Sequence, residues 1–207
     1  MPYSLSLERI SLEGYKALLK AQNLLPGRRI LWQDIDANFA RIASQGVENV
    51  AQLEKELSSP AKLAAFAQKC GVDEAYLNIL RREAGSFKQK PVPLADFPGM
   101  DRGRIQSLCE KGIRTSKDYW EKHGEQDELY GLCDLVRING VGPTAAKALY
   151  EAGYASFADV AKAGAAEMLR RISQVNEDRQ YYKAVLTVKD MQFLIDFART
   201  AAAYGDA

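Results

Sequence analysis

The sequence has few of the residues from which catalytic and metal sites are usually built. Of its 207 residues, one is histidine and three are cysteine, and no two cysteines have the CxxC spacing of a zinc or redox site. His123 has no serine or cysteine motif around it, and we interpret it as a capping or surface residue. No phosphate-binding P-loop or dinucleotide fingerprint occurs. We therefore expect no catalytic residue, no metal site and no cofactor.

Long apolar runs and a strong charge bias are also missing. No run approaches the roughly 20 apolar residues that span a bilayer, and the first residues lack the basic start and apolar block of a secretory signal. We expect a soluble cytoplasmic protein with reduced thiols and no membrane partner. The formal net charge is +1, so the chain lacks the overall basic excess of many nucleic-acid binders.

Helical periodicity is what the sequence does have. Apolar residues recur every three or four positions, and we find no convincing alternating pattern of the kind that predicts a strand. The sequence therefore predicts an all-α fold. The clearest apolar helix faces are formed by Leu12, Tyr15, Leu18 and Leu19, by Ile35, Phe39 and Ile42, and by Met191, Leu194, Ile195 and Ala198.

A pattern of glycine, N-cap residue and capping-box partner repeats three times along the chain. The stretch from Gly153 to Val160 has the same layout as Gly112–Tyr119, 41 residues earlier, and as Gly46–Leu53. In each copy the glycine stands where a helix end needs a left-handed residue, and an N-cap with its partner three residues on starts the next helix. We predict three copies of one helical unit.

The segment before each of these patterns also repeats, but its glycines do not. Phe97–Asp101 aligns with Ile138–Gly142, and in the first copy Gln33 and Ile35 occupy the two glycine positions. Only the third copy keeps both glycines.

Composition suggests where the copies separate. Residues 86–99 are polar and rich in proline, and we interpret them as a linker and lead-in. We predict an N-terminal helical domain over residues 1–85 with a degenerate unit, and a C-terminal helical domain over residues 100–207 with two units.

The third copy carries a known motif. In the stretch RINGVGPTAAKALYEAG, an apolar Ile138 precedes Gly140, Val141 and Gly142, and a new helix begins at Pro143. With Ala146 and Leu149, these residues resemble the helix-hairpin-helix motif. The resemblance implies tandem units of the SAM-like kind in a helical array. It also implies sequence-tolerant DNA binding through backbone phosphates, without catalysis.

The residues themselves suggest how a phosphate would be held. Glycines let a ligand approach the backbone closely, and the free amides at a helix start form an anion site. We predict a phosphate site at the amides of Gly140, Val141 and Gly142. The Thr144 hydroxyl and three nearby cations would assist them, namely Lys147, Arg102 and Arg104.

A second interpretation stays open, in which the glycines only let two helices pack closely in a protein-interaction or scaffold module. The second copy has Asp101 where the third has Gly142, and a carboxylate there would repel phosphate. Residues 81–117 contain nine bases and four acids, a net of +5, whereas residues 118–160 contain three bases and eight acids, a net of −5. The best-formed turn thus lies in an acidic stretch.

The wider sequence also resembles an uncharacterised helix-hairpin-helix family, known only as a domain of unknown function. The segments behind this resemblance are Leu24–Leu53, Tyr76–Glu83, Lys90–Gly99 and Asp134–Tyr154, so it extends over nearly the whole chain. It implies a fold and a family, and no established activity.

Overall fold

The computed structural model describes residues 3–22, 24–122 and 127–204, and these residues are helical without any strand. The all-α prediction is confirmed. Three short 3-10 helices cover Leu7–Arg9, Pro26–Trp32 and Leu94–Asp96. The α-helices are α1 (Leu12–Ala21), α2 (Ile35–Ala43), α3 (Val50–Glu56), α4 (Pro60–Cys70), α5 (Glu74–Gly85), α6 (Arg102–Glu110), α7 (Ser116–Lys122), α8 (Glu128–Leu135), α9 (Pro143–Glu151), α10 (Phe157–Lys162), α11 (Ala165–Arg179) and α12 (Val188–Tyr204).

The chain divides into two compact units. The first unit is Leu5–Lys88 and contains α1 to α5. The second unit is Gln89–Ala207 and contains α6 to α12; the N-terminal segment with Tyr3 and Ser4 also belongs to it. The Tyr3 hydroxyl is hydrogen-bonded to the Ser116 hydroxyl over 2.6 Å, and this contact attaches the N-terminal segment to the second unit. None of the described helices is both long and apolar enough to cross a membrane.

The predicted helix ends and caps are confirmed. Gly46, Gly112 and Gly153 have φ of +83°, +78° and +91°, the left-handed conformation that glycine adopts most readily at a helix end. The side chains that follow cap the next helix, since Asn49, Thr115 and Ser156 accept the amides of Gln52, Asp118 and Asp159. The repeat seen in the sequence is therefore a repeat of helix boundaries.

A pair of backbone hydrogen bonds also recurs in the first and second copies. Leu12 donates to Glu48 and Val50 to Ile10 in the first unit. In the second unit, Leu94 donates to Arg114 and Ser116 to Val92 over 2.7 Å. Residues 92–97 of the proline-rich stretch are thus hydrogen-bonded or packed within the second unit.

Each unit buries its own core. In the first unit, Tyr15 is fully buried, and its ring centroid lies 6.1 Å from that of Phe39 and 5.8 Å from that of Phe87. In the second unit, helices α6 to α12 all contribute core side chains, which include Leu132, Leu149, Val160, Met168 and Ile195. The helices that carry the glycine motif are therefore held in place by a packed core.

Candidate functional site

The segment between α8 and α9, Ile138–Gly142, is a tight turn that we call the glycine turn. The amide of Val141 donates to the carbonyl of Ile138 over 3.0 Å, and Gly140 between them has φ +88°, as expected at the third position of a type II turn. Ile138 and Val141 are buried and anchor the turn. Gly140 and Gly142 are exposed, so the turn presents backbone to solvent.

The start of α9 carries unused hydrogen-bond donors. Gly142 is the N-cap residue and has no side chain to accept a bond, and Pro143 at the first helical position has no N–H. The amides of Gly142, Thr144 and Ala145 have no acceptor among the residues that the structure describes. The first amide used by the helix is that of Ala146, which donates to Gly142 over 2.9 Å. Three N–H groups are thus available at the positive end of α9.

The two glycines of the turn have different reasons to be glycine. Gly140 needs its positive φ, and a Cβ there would lie 3.7 Å from Phe193 Cε1 and 3.8 Å from Leu194 Cδ2 of α12. Gly142 has φ −87° and ψ 176°, which any residue adopts. A Cβ at Gly142 would have no atom within 4 Å. Neither the backbone nor the packing therefore requires glycine at position 142.

Lys147, predicted to assist phosphate binding, is held by two carboxylates. Its Nζ forms ion pairs with Glu128 and, over 3.3 Å, with Glu151, and its side chain is only 13% exposed. Burial would lower the pKa of Lys147, but the hydrogen bonds and charges of the two glutamates outweigh it and raise the pKa. Lys147 is therefore charged and already neutralised inside the protein.

Arg104 is also paired within the unit. Its guanidinium forms an ion pair with Asp127 and donates to the Tyr119 hydroxyl over 2.7 Å. Asp127 is at the same time the N-cap of α8, since it accepts the amide of Tyr130 over 2.8 Å. Arg102, at the start of α6, is exposed and has no ion-pair partner among the described residues.

The structure brings the second and third copies together at the start of α8. Arg104 of α6 pairs with Asp127, and Lys147 of α9 pairs with the next residue, Glu128. A Cβ at Gly99, the turn glycine of the second copy, would lie 4.0 Å from Lys147 Cε. The sequence does not reveal that Asp127 and Glu128 pair with these cations, although the acidic balance of residues 118–160 was a signal.

The second copy gives an internal comparison for the start of α9. Gly99 has φ +76°, close to the +88° of Gly140, so both turns have a left-handed glycine at the same position. At the next helix start, however, the carboxylate of Asp101 accepts the amide of Arg104 over 2.9 Å. The donor that is free at Ala145 in the third copy is therefore occupied in the second.

Histidine and cysteine are the reactive side chains that the sequence contains in small number. His123 lies outside the described residues. Cys70 and Cys133 are buried free thiols, and Cys109 is a half-buried one. Burial raises the pKa of the Cys133 thiol far above its ordinary value. No cluster of three or more metal-binding side chains occurs in the described ranges.

Comparison with known proteins gives partial matches. The family described as "Domain of unknown function (DUF4332)" matches residues 121–201, which contain the glycine turn and both of its helices. The ATP-dependent DNA helicase Hel308 of Caldivirga maquilingensis is 44% identical over 59 residues, which are 28% of this chain and 7% of the helicase. The chain thus spans a small fraction of that protein. No solved structure matches significantly.

Proposed function

We propose that this protein binds the phosphate backbone of DNA without catalysis and without sequence preference. The observation that carries the proposal is the group of amide donors at Gly142, Thr144 and Ala145. They have no acceptor among the described residues, and the exposed Gly142 has no side chain to cap them. In this proposal, α8, the glycine turn and α9 form a helix-hairpin-helix unit, and α6 with its preceding turn forms its partner unit.

The chemistry of a helix start suits a phosphate oxygen. The unpaired amides point outward along the helix axis, and the helix dipole adds positive potential at the same place. The Thr144 hydroxyl, on a half-buried residue, would supply a further donor. Contacts of this kind hold the backbone and carry no direct information about base sequence. The ligand class that fits is therefore nucleic acid in general rather than one target sequence.

The amide donors proposed here differ from those that the sequence predicts, since the set keeps Gly142 and adds Thr144 and Ala145. The Val141 amide is used inside the turn, by its bond to Ile138, so the donors shift toward the first turn of α9. Val141 then acts as a buried anchor that holds Gly140 and Gly142 at the surface. This shift moves the phosphate from the corner of the turn to the start of the helix.

The three predicted cations contribute less to phosphate binding than their number suggests. Lys147 and Arg104 are paired with carboxylates, so each would have to share its charge between an acid and a phosphate. Arg102 is exposed and has no ion-pair partner in the described part of the chain, so it can contact phosphate directly. We expect weak binding whose salt dependence reflects few phosphate contacts.

The comparisons support the same class of ligand. The matched relative is by its name a DNA helicase, so the 59 matched residues have their counterpart in a protein that acts on DNA. We extend the proposal to the family: the whole chain, including the first unit, would belong with the uncharacterised proteins that match residues 121–201. A cytoplasmic location remains a prediction.

A protein-interaction module is the second candidate, and one observation favours it. Gly140 lies next to Phe193 and Leu194 of α12, and its φ of +88° gives this glycine a structural role in the turn. The pairing of Lys147 with two glutamates is also typical of a structural role. In this candidate the turn is a corner between two helices, and the free amides bind only water.

Fluorescence anisotropy of a labelled random-sequence duplex decides between the two. The full chain is titrated at about 50 and about 200 mM salt, because counterion release makes phosphate binding weaken with salt. Binding at the lower salt that is lost at the higher salt supports the phosphate site. Flat anisotropy at the lower salt, up to tens of micromolar protein, contradicts the proposal and leaves the protein-interaction candidate.

A further inference from the structure

A second basic surface lies in the first unit, between α3 and α5. Four cationic side chains and one acid line this groove, which we call the basic groove, together with the end of α5 at Gly85; the charged residues are Lys55, Arg81, Arg82, Lys88 and Glu54. The two helices pack against each other, so the cations of both stand around one depression. The proposed DNA site at α9 uses none of these residues.

Most of this charge is not compensated within the protein. Lys88 pairs with Glu54, and Arg81 donates to the side-chain oxygen of Asn78 over 3.1 Å. Lys55 and Arg82 are exposed and have no ion-pair partner in the described part of the chain. This contrasts with Lys147 and Arg104 at α9, which both pair with acids. An anion that enters the groove would therefore not have to displace a carboxylate from Lys55 or Arg82.

One donor beside the groove is buried and unused. The Nε of Arg81 is enclosed and has no hydrogen-bond partner among the described residues. An unmet buried donor destabilises the fold, and an arginine fork matches the paired oxygens of a phosphate. A small rearrangement of Arg81 toward a bound phosphate would remove this cost.

The groove is open at Gly85, which has no side chain to project into it. Gly85 ends α5 without a positive φ, and a Cβ there would meet no atom within 4 Å. Ser58, also on the groove wall, accepts a hydrogen bond from Lys62 over 3.2 Å, which brings a fifth cation to the rim. The described lining has no aromatic side chain on which a base could stack.

We propose that the basic groove binds a run of phosphate groups, as the backbone of a DNA duplex presents them. Several cations along two helices fit successive phosphates better than a single anion, and the lack of aromatic side chains favours backbone contact over base stacking. As a second contact for the same ligand, this inference rests on the proposed function. It gives the first compact unit, which contains the degenerate copy, a role in the affinity for DNA.

A matched pair of variants tests the groove. Lys55 and Lys69 are both exposed and both lie in the last turn of a helix, α3 and α4, but only Lys55 lines the groove. Lys55→Glu is expected to weaken duplex binding by the full chain about ten-fold. It is also expected to reduce the slope of log affinity against log salt concentration by about one. Lys69→Glu makes the same change of net charge and is expected to have little effect on either quantity. Equal binding by the two variants overturns the groove.

The test must also separate failure of the groove from failure of the site at α9. If Lys55→Glu binds like the wild type while a charge placed at Gly142 abolishes binding, the groove is overturned and the proposed function stands. Arg82→Glu is a second groove variant, which keeps the test open if Lys55→Glu fails to fold.

Inorganic tripolyphosphate gives a readout that does not depend on DNA. Added to 15N-labelled full chain, it is expected to shift the Nε–H signals of Arg81 and Arg82, and Lys55→Glu is expected to weaken these shifts. If the wild type fails to bind duplex, the proposed function falls. In that case, shifts with tripolyphosphate mean that the basic groove binds a free polyphosphate and not DNA. The absence of shifts means that the groove does not bind phosphate groups at all.

Discussion

The carboxylate of Asp101 accepts a hydrogen bond from the amide of Arg104 over 2.9 Å and so closes the start of α6. The equivalent start of α9 has Gly142 in place of the aspartate and leaves the matching amide of Ala145 without an acceptor among the described residues. One side chain thus separates two helix starts of similar geometry. The helix with the carboxylate supplies its own anion, and the helix with the glycine can take one from outside.

The first prediction transfers this carboxylate to the third copy. Gly142 has extended backbone angles and open space around its Cβ position, so Gly142→Asp is expected to fold. The new side chain would cap α9 and change the free energy of unfolding by only a few tenths of a kcal/mol, in the stabilising direction. It would also occupy the amides and repel phosphate, so we expect duplex binding to be lost in the anisotropy titration.

A matched control exists for this variant. Gly164 is the N-cap of α11, with φ −104°, no side-chain cap and no atom within 4 Å of its Cβ position. Gly164→Asp makes the same change of charge and of cap at another helix start. Equal loss of binding in both variants would mean that net charge, and not the site at α9, controls affinity.

The second prediction is the reverse change. Asp101→Gly frees the Arg104 amide and removes a negative charge beside Arg102. Glycine is almost as good an N-cap as aspartate, so the cost in stability is expected to be a few tenths of a kcal/mol. Duplex affinity should rise several-fold, as measured by anisotropy at about 50 mM salt. Unchanged affinity would mean that α6 does not face the ligand.

The third prediction concerns the carboxylate that neutralises Lys147. Glu128→Gln keeps the shape of the side chain and removes its charge, which leaves Lys147 paired with Glu151 alone. The released positive potential at the start of α8 is expected to tighten duplex binding about three-fold or more. Glu121→Gln, on α7, is a control, since Glu121 pairs only weakly with Lys117 over 3.8 Å. Tightening in both variants would point to net charge alone.

The fourth prediction compares the two turn glycines by stability. Gly140→Ala puts a Cβ on a residue with φ +88°, which costs about 1–2 kcal/mol, and brings it against Phe193. Gly142→Ala meets neither constraint and is expected to change the free energy of unfolding by less than about 1 kcal/mol. Urea denaturation of both variants checks this. An equal loss would contradict the extended conformation of Gly142.

The fifth prediction is a pH dependence at Asp127. Burial raises the pKa of this carboxyl, but hydrogen bonds from Arg104, the Tyr130 amide and the Tyr119 hydroxyl outweigh it, and the pKa is lowered. A lowered carboxyl pKa stabilises the fold above the unfolded value of about 3.9, and this stabilisation is lost as the pH falls through the folded value.

Asp127→Asn keeps an oxygen that can cap α8 but removes the charge. The variant is expected to be less stable than the wild type by about 1 kcal/mol near pH 7, a modest difference because Arg104 is partly exposed to solvent. The difference is expected to be smaller near pH 3, because the stabilisation declines as the pH falls from the unfolded pKa through the lowered folded pKa. Urea denaturation at the two pH values measures it. Asp73→Asn, at the N-cap of α5, controls for the loss of a capping carboxylate. A difference that stays constant with pH would contradict the role of the ion pair.

Much of the local structure follows from the sequence. The glycines at 46, 112 and 153, each followed by a capping residue, predict helix ends that the structure confirms, because a left-handed residue and a capping side chain act within a few residues of the chain. The all-α fold follows from apolar spacing for the same reason. The predicted domain division at residues 85 and 100 remains a proposal. In the structure, the boundary between the two compact units follows Lys88 in the chain.

What only the tertiary structure decided is which polar groups remain free. Lys147 and Arg104 are cations on two predicted helices. Their sequence neighbours do not reveal that Glu128 and Asp127 neutralise them, because the partners lie 19 and 23 residues away and meet only when the helices pack. The glycine turn, by contrast, could be predicted from the sequence Gly-Val-Gly before a proline. The sequence does not show why each position is glycine. Gly140 has a positive φ and lies next to α12, whereas Gly142 has neither constraint, and only the three-dimensional fold reveals this difference.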